Sequence, residues 1–578
     1  MSLGIHLENV ADIHINDAPQ LDAWLFHFSN ENNIEYLLNP SIIASPEQLR
    51  FMVALRDNQV YIPASDEVFF DIFYGRIEKL HTQYQDCWKV IEDMVASYNL
   101  SKADHNRVVS YCRYKYNAAV VSNIVLPSRF SKRLVGIVIS QCGEHDPYTE
   151  RKLAANALAR GFLENKELQE RLYKLPSGGT DIESIECMRQ KLALIEIKRL
   201  MALGTMPLLY RGAATLEGAK QILHEIDDDT SMLSEAFEGF DTESKKFLFI
   251  TARVGWLMFD LALARRLVRS GHQVVLVVKD AFYFNAPVMQ DFETDPVLHE
   301  AVKDAHIVDS TSVTKNELLQ LLREHRLLII SDGTSEQLNL CRTNVTFARA
   351  WKECDVVISS GRRQKLVLMD TSHEFTRDIL CFWRDKTGEF HTQYRKRADW
   401  VMKFAEKDLI AKAGGIIASM KQAKAKGQKV MFYSAIIGSI PGQTKVAIGL
   451  VNAFVAYLRE HLDNTFVINP AEHFIEGMDG DDLMYMWELV QRSGLLDVWR
   501  FQTFEDIEKS FSFLGEKVPA SWLGKDSTFS TGCTKEMKIA LDVQHVFPEL
   551  QIIGPPSETF FRRRDYGIGK YYDAVLNS

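Results

Sequence analysis

The pattern of apolar and polar positions changes once along the 578 residues of the chain. Up to about residue 240, apolar residues recur at three- and four-residue spacing with charges between them, as in residues 84–98 and 148–173. This spacing predicts amphipathic helices. One apolar run in the same region, residues 134–140, favours a short strand. We therefore predict a mainly helical N-terminal region over residues 1–240.

Beyond residue 240, apolar runs of strand length alternate with helical stretches. The predicted strands of this part are residues 247–251, 274–278, 327–331, 356–360 and 366–369. A basic helical stretch at 400–429 leads to a second set, at residues 430–437, 466–469, 498–501 and 550–554. Such alternation is typical of right-handed crossovers and parallel sheets. The fold class is therefore α/β, with a Rossmann-like, mostly parallel core over 241–399 and a second C-terminal α/β domain over 400–578.

The composition of the chain argues against some classes of binding partner. The net charge of −10 argues against a nucleic-acid surface. No segment approaches the ~20 apolar residues of a membrane span. The eight cysteines stand singly, without a CxxC pair, and the N-terminus has no leader pattern. We predict a cytoplasmic protein with no nucleic-acid or membrane partner.

The most informative stretch is residues 247–260, a predicted buried strand, a tight turn at Gly255 and the start of a helix. Ligands of parallel α/β sheets bind outside the carboxyl ends of strands. This turn and three other segments resemble, in order and spacing, the damage-control phosphatase superfamily (domain of unknown function 89), which includes acidic-residue methyltransferase-like proteins. The other segments are residues 146–152 followed by Asn156, residues 278–287 and residues 354–363.

The resemblance implies a helical N-terminal part, an α/β core and a divalent metal that promotes hydrolysis of phosphorylated metabolites. The family's ligand positions differ here. Ala252 and Arg253 stand where the family has Asp-Asn, Ala286 where it has a ligand Asp, and Ser360 where it has Lys. Hard cations need carboxylate and amide oxygens, and an arginine repels them. We therefore expect the family's metal site to be lost, and we assign no metal ligand.

Arg253 changes what this strand end can bind. A guanidinium beside a helix N-terminus favours phosphate or carboxylate. In the alternative interpretation, Arg253 pairs with Asp280, Asp332 or another nearby carboxylate and replaces the charge of the metal. The candidate ligand-binding residues around it are Gly255, Lys279, Asn285, Gly361 and Arg362, with Arg363 beside them.

Two further pairs of residues are candidates for catalysis or ligand binding. Asp332 and Glu336 follow a predicted strand and suit acid–base catalysis or replacement metal ligands. The alternative is an Asp-Gly turn followed by a helix N-cap. In the second α/β domain, Gly442 and Lys445 lie in a loop and helix start that suit phosphate. The Walker A spacing is absent there, and a simple connecting loop is the alternative.

These observations favour a diverged damage-control-phosphatase-like protein that binds a phosphorylated or anionic small molecule without the family's metal. Two alternatives stay open. One is a metal-dependent phosphatase, a hydrolase, which uses replacement ligands for Mn, Ni or Co. The other is a non-catalytic scaffold, or pseudoenzyme. The sequence predicts neither the substrate nor the oligomeric state, nor which α/β domain would carry an active site.

Overall fold

The computed structural model describes residues 6–34, 43–143, 146–175, 185–238, 243–440, 442–473, 475 and 477–565. The chain divides into two compact units, Met1–Val401 and Met402–Ser578. The boundary predicted at residue 240 falls outside the described residues.

The first unit is built on a seven-stranded sheet with the order β3-β4-β2-β1-β5-β6-β7. All neighbouring strands are parallel except β6 and β7, which form an antiparallel hairpin. The strands are β1 (Lys246–Ile250), β2 (Gln273–Val278), β3 (His306–Val308), β4 (Leu327–Ser331), β5 (Val356–Ser360), β6 (Asp378–Arg384) and β7 (Phe390–Arg395).

Both faces of this sheet are covered at its centre, which explains why β1, β2, β4 and β5 are almost continuously apolar. In β1, Leu248 and Ile250 pack into one core, which also contains the N-terminal helices. Phe247 and Phe249 point to the opposite face and pack into a second core. Only the carboxyl ends of the strands are left for polar side chains.

The helices of the first unit are α1 (Pro19–Asn32), α2 (Pro46–Leu49), α3 (Asp66–Phe73), α4 (Ile77–Ser97), α5 (Lys102–Ser122), α6 (Pro127–Cys142), α7 (Thr149–Glu164), α8 (Lys166–Leu172), α9 (Ile185–Leu203), α10 (Leu216–Glu225), α11 (Ser231–Ala236), α12 (Trp256–Arg269), α13 (Asp291–Thr294), α14 (Pro296–Ala301), α15 (Lys315–Glu324), α16 (Val345–Glu353) and α17 (Arg362–Leu368). Short 3₁₀ turns lie at Val10–Asp12 and Leu209–Arg211.

The second unit has a four-stranded parallel sheet with the order β11-β10-β8-β9. Its strands are β8 (Lys429–Ser434), β9 (Thr465–Ile468), β10 (Val498–Phe501) and β11 (Gln551–Ile553). Its helices are α18 (Glu406–Ala425), α19 (Thr444–His461), α20 (Gly480–Gln491), α21 (Phe504–Phe513), α22 (Thr531–Val546) and α23 (Ser557–Asp565), with 3₁₀ turns at Pro470–His473, Ala520–Trp522 and Ser527–Phe529.

The α/β fold class predicted from the sequence is confirmed, but two predicted strands are wrong. Residues 134–140 lie inside α6, where Leu134, Val135 and Val138 form its buried face. Residues 366–369 belong to α17 and its end. In both segments the apolar run is the buried side of a helix, which a short run cannot distinguish from a strand.

Candidate functional site

The turn after β1 is held by a buried amide. Oδ1 of Asn156 on α7 accepts the N–H of Gly255 at 2.7 Å, and its Nδ2 donates to Asp295 at 2.7 Å. Gly255 has φ = 76°, and a Cβ there would lie 3.1 Å from Leu209 Cγ. Glycine is needed both for this conformation and for the space. Because the Gly255 N–H is already bonded, anion binding at this turn depends mainly on side chains.

The guanidinium of Arg253 lies over two aromatic rings. Its Cζ is 4.1 Å from the ring centre of Tyr210 and 5.1 Å from that of Trp256. Such cation–π contacts contribute ~0.5–2 kcal/mol and leave the charge in place. No carboxylate of the described residues forms an ion pair with Arg253. The stack therefore orients a cation without neutralising it.

The two carboxylates that were candidates for pairing with Arg253 bond elsewhere. Asp280 accepts the hydroxyl of Ser331 at 2.9 Å. Asp332 forms an ion pair of 2.5 Å with Lys279. The interpretation of Arg253 as a salt-bridged replacement for the metal charge is therefore not what the structure shows.

Two further guanidinium groups, those of Arg363 and Arg211, lie near Arg253. Burial and the neighbouring Arg363 lower the pKa of Arg253. Burial alone would raise the pKa of Tyr210, but Arg253 and Arg211 outweigh it, so that this pKa lies below its usual range. Arg362 is exposed at the first residue of α17. Arg363 and Arg211 are thus both close enough to Arg253, at the end of β1, to lower its pKa.

Backbone strain marks the same place. Among the described residues, the positive-φ positions that are neither glycine nor asparagine are Leu208 (59°) and Phe284 (52°). This conformation costs a residue with a Cβ ~1–2 kcal/mol. Leu208 lies just before Tyr210, and the Phe284 ring lies 5.6 Å from the guanidinium carbon of Arg363. Strain of this kind concentrates at functional sites.

Two buried polar groups near Arg253 have no hydrogen-bond partner among the described residues. They are Oδ1 of Asn285 and the hydroxyl of Ser360. The backbone carbonyl of Asn285 accepts the Val254 N–H at 2.9 Å, which ties it to the turn after β1. Gly361 (φ = 92°) would place a Cβ 3.0 Å from Cβ of Ala252, so the ends of β1 and β5 are close. An acceptor and a hydroxyl are therefore left for a ligand.

Asp332 lies at the carboxyl ends of β2 and β4, and both of its carboxylate oxygens accept hydrogen bonds. One oxygen accepts the Lys279 ammonium, and the other accepts the N–H and hydroxyl of Thr334 at 2.8 and 3.0 Å. Burial raises the pKa of Asp332, although Lys279 and Thr334 oppose the rise. The Asp-Gly turn is present, with φ = 75° at Gly333, but the next helix begins only at Val345.

Glu336, the other acid–base candidate, also has a cationic partner. Its carboxylate is buried and lies 3.5 Å from Nη1 of Arg129 on α6. A general base must reach the proton that it abstracts, and an ion pair competes with that role. The catalytic roles of Asp332 and Glu336 stay predictions.

One group of three metal-ligating side chains occurs among the described residues, after β6, two strands from β1 in the same sheet. Asp385, Glu389 and His391 on the β6–β7 hairpin bring one ligand atom each within 4.8 Å of one another. Glu389 is exposed, and the carboxylate of Asp385 already accepts His391 Nε2 at 3.1 Å. Exposed groups of this kind are common without a metal, so they define no site by themselves.

The candidates of the second unit are on its surface. Lys445 is exposed in the first turn of α19, and Gly442 has φ = 69° with open space around it. The helix N-cap, Gln443, makes no side-chain cap bond. Anion binding by Gly442 and Lys445 stays a prediction.

Sequence reasoning missed Tyr210 and Arg211. They lie on the 3₁₀ turn Leu209–Arg211, some 40 residues before Arg253, in a region read only as helical. Neither spacing nor composition predicts a contact between these segments. The adjacent aromatic and arginine were the only local signal.

Comparison with known proteins identifies the class of the domain that contains this turn. Residues 212–389 match the family model described as the damage-control phosphatase ARMT1-like domain. The matched range runs from just after Arg211 to the β6–β7 hairpin. The chain thus carries a damage-control phosphatase ARMT1-like domain, and the superfamily indicated by the motifs is confirmed.

Among solved structures, a DUF89 family protein from Pyrococcus horikoshii is similar to this chain, with 17% identity and a TM-score of 0.38. The similarity covers 54% of this chain and 90% of that one. No curated protein matches the chain. Within the described residues, the helices are all too short or too polar to cross a bilayer.

Proposed function

We propose that the first unit binds a phosphorylated or otherwise anionic small molecule at the carboxyl ends of β1 and β5, without a resident divalent metal. The observation that carries the proposal is Arg253, a partly buried cation with no ion-pair partner among the described residues. Arginine does not lose its proton at physiological pH, so only a ligand anion can compensate this charge fully.

The donor set at the turn supports the absence of a metal. Ala252 offers no ligand atom, and the guanidinium of Arg253 repels a cation. The nearby oxygen acceptor, Oδ1 of Asn285, is a single amide, whereas a hard divalent cation takes several oxygens. The residues present therefore do not fit the family's metal, and we derive no chemical step through one.

An anion would find several donors here. The guanidinium groups of Arg253, Arg363 and Arg211 can each donate charge-assisted hydrogen bonds, which are stronger than neutral ones. The Ser360 hydroxyl is available as a further donor. The positive φ angles of Leu208 and Phe284 support the same location, because backbone strain concentrates at functional sites.

The alternative function is a metal-dependent phosphatase with replacement ligands. Asp332 and Glu336 would have to leave Lys279 and Arg129 to bind a metal, which would leave two partly buried cations unpaired. The Asp385 group on the hairpin is the other possible donor set. A non-catalytic scaffold is the second alternative, and it predicts no specific ligand.

We further propose where this protein acts and which partners it lacks. Net charge and single cysteines support a cytoplasmic protein that has no nucleic-acid or membrane partner.

Metal content and turnover test the proposal against the phosphatase alternative. Elemental analysis of the purified full chain should give substoichiometric Mn, Ni and Co. Assays on generic and sugar-phosphate substrates should show no turnover that depends on adding these metals. One metal per chain, with phosphate release that depends on that metal, would establish the phosphatase instead.

A further inference from the structure

A second group of cations lies at the other half of the same sheet edge. Arg129 and Lys132 project from α6 toward the segment after β4, and Arg342 precedes α16. The carboxylate within ion-pair distance of this group is Glu336, 3.5 Å from Arg129. Lys132 donates instead to the carbonyl and hydroxyl oxygens of Ser335, the former at 2.9 Å.

This group has more positive than negative charge. The guanidinium of Arg342 makes no ion pair with a described residue, and its Nη1 is buried without a hydrogen-bond partner among them. Burial lowers the pKa of Lys132 and of Arg129, and Arg342 lowers both further, while Glu336 opposes the change. One carboxylate therefore faces three cations, since Lys279 is already matched by Asp332.

The second group adjoins the pocket of Arg253. Nε2 of Gln337, the residue after Glu336, donates to the carbonyl oxygen of Arg363 at 3.2 Å. The phenol of Tyr283 lies within the electrostatic influence of both Arg363 and Glu336, and burial raises its pKa to about 12. The segment that carries Glu336 and Gln337 therefore adjoins the one that carries Arg363.

We propose that the ligand of this edge carries two anionic groups, one bound by Arg253 and Arg363 and the other by Lys132, Arg129 and Arg342. This inference rests on the proposed function and specifies its ligand class: a small molecule with two phosphates, or with a phosphate and a carboxylate. A single anion would leave one of the two cation groups uncompensated.

Calorimetric titration of the full chain with simple probes tests the inference. The probes are methylphosphonate, alkane bisphosphonates with one to four methylene groups, and the matching phosphonocarboxylates, all at equal ionic strength. Because the second group of a linked ligand binds intramolecularly, the best bisphosphonate or phosphonocarboxylate should bind at least ~10-fold more tightly than methylphosphonate. A gain in affinity in the bisphosphonate series would identify the second anion as a phosphate, and a gain in the phosphonocarboxylate series would identify it as a carboxylate.

Variants locate the second anion. Arg342→Gln and Lys132→Gln should each remove most of the gain from linking, whereas Arg189→Gln, at an exposed arginine on α9, should leave it intact. Because Arg342 is an uncompensated cation, Arg342→Gln should not lower the stability of the unliganded protein in urea. A merely structural arginine would give the opposite result, a loss of stability with no effect on the linked probes.

The failures of the two proposals are distinguishable. If methylphosphonate binds through Arg253 and no linked probe binds more tightly, the two-anion inference is wrong and the proposed anion pocket stands. If a linked probe binds more tightly than methylphosphonate and keeps this advantage in Arg342→Gln and Lys132→Gln, then Lys132, Arg129 and Arg342 do not bind the second anion and the inference is wrong. If no probe binds, both proposals fall.

Discussion

The two units differ in the kind of ionisable group that they leave without an ion-pair partner among the described residues. In the first unit, Arg253 and Arg342 have no ion-pair partner among the described residues. In the second unit, the buried Glu536 on α22 has none either, and its Oε1 accepts Gln491 Nε2 at 2.9 Å. Burial raises the pKa of Glu536 to about 7. The groups without an ion-pair partner are thus arginines in the first unit and a carboxyl in the second.

A buried carboxyl can become neutral by taking up a proton, whereas a buried arginine stays charged. Glu536 avoids the cost of burial by taking up a proton near neutral pH. Arg253 stays charged at any physiological pH and must be compensated by its surroundings or by a ligand. The edge of the first unit therefore supports an anion site more strongly than that of the second, where Lys445 is exposed.

The largest expected effect is at Asp332, a buried carboxylate of the first unit that neutralises a cation. Asp332→Asn keeps an acceptor for Thr334 but leaves Lys279 without its counter-ion. Breaking a buried ion pair from one side costs ~3–5 kcal/mol. Urea denaturation should show this loss, and anion affinity should rise because the edge becomes more positive.

A matched exposed pair provides the control. Asp86→Asn breaks the ion pair with Lys89, in which both side chains are more than 60% exposed, and should change the free energy of unfolding by less than ~1 kcal/mol. Adding Lys279→Met to Asp332→Asn should recover part of the loss, since the uncompensated charge is removed. Equal effects of Asp332→Asn and Asp86→Asn would contradict the assignment of Asp332 as a counter-ion.

The next effect is expected in the second unit and depends on pH. Because folding raises the pKa of Glu536 from 4.5 to about 7, its stabilising contribution is complete below pH 4.5 and is lost as the pH rises through 7. The loss amounts to about 3 kcal/mol. Glu536→Gln should remove this dependence, matching wild type at pH 4 and exceeding its stability at pH 8.

Proteolysis in urea, read out on peptides of the second unit, measures this pH dependence in the full chain. Glu508→Gln, at an exposed position on α21, is the control and should follow wild type at every pH. A stability of Glu536→Gln that parallels wild type from pH 4 to 8 would show that Glu536 titrates normally.

The smallest expected effect is at the strained turn beside the anion site. Leu208 is half exposed and has φ = 59°, so Leu208→Gly loses little packing and removes strain. The gain should be about 0.5–1 kcal/mol after the greater chain entropy of glycine is subtracted. Thermal unfolding of Leu208→Gly measures this gain. The control is Asn58→Gly, at an exposed position with φ = 60° that asparagine tolerates. A loss of stability in Leu208→Gly would mean that Leu208 is not strained.

Much of the fold could be predicted from the sequence because buried parallel strands are apolar along their whole length. β4 and β5 coincide with predicted strands for this reason. β7 was missed because polar and charged residues interrupt this half-exposed edge strand. β6 was overlooked although residues 379–383 form an uninterrupted apolar run. β3, at three residues, is too short for a pattern.

The candidate site could be predicted only in part. Gly255 and Arg253 are local to one strand end, so the sequence places them together. The stacking of Arg253 on Tyr210 and the bond from Gly255 to Asn156 join segments far apart in the chain. Such contacts depend on how the helical region packs on the sheet, which no spacing encodes.

The most direct test of the account is the binding of inorganic phosphate to the chelator-treated full chain, measured by calorimetry for wild type and Arg253→Gln, with Arg189→Gln as the control. Our account predicts saturable binding without metal, unchanged in Arg189→Gln and weakened at least ~10-fold in Arg253→Gln, because a charge-assisted hydrogen bond is worth ~1.5–3 kcal/mol. Binding that requires added metal, or that is equal in wild type and Arg253→Gln, would contradict it.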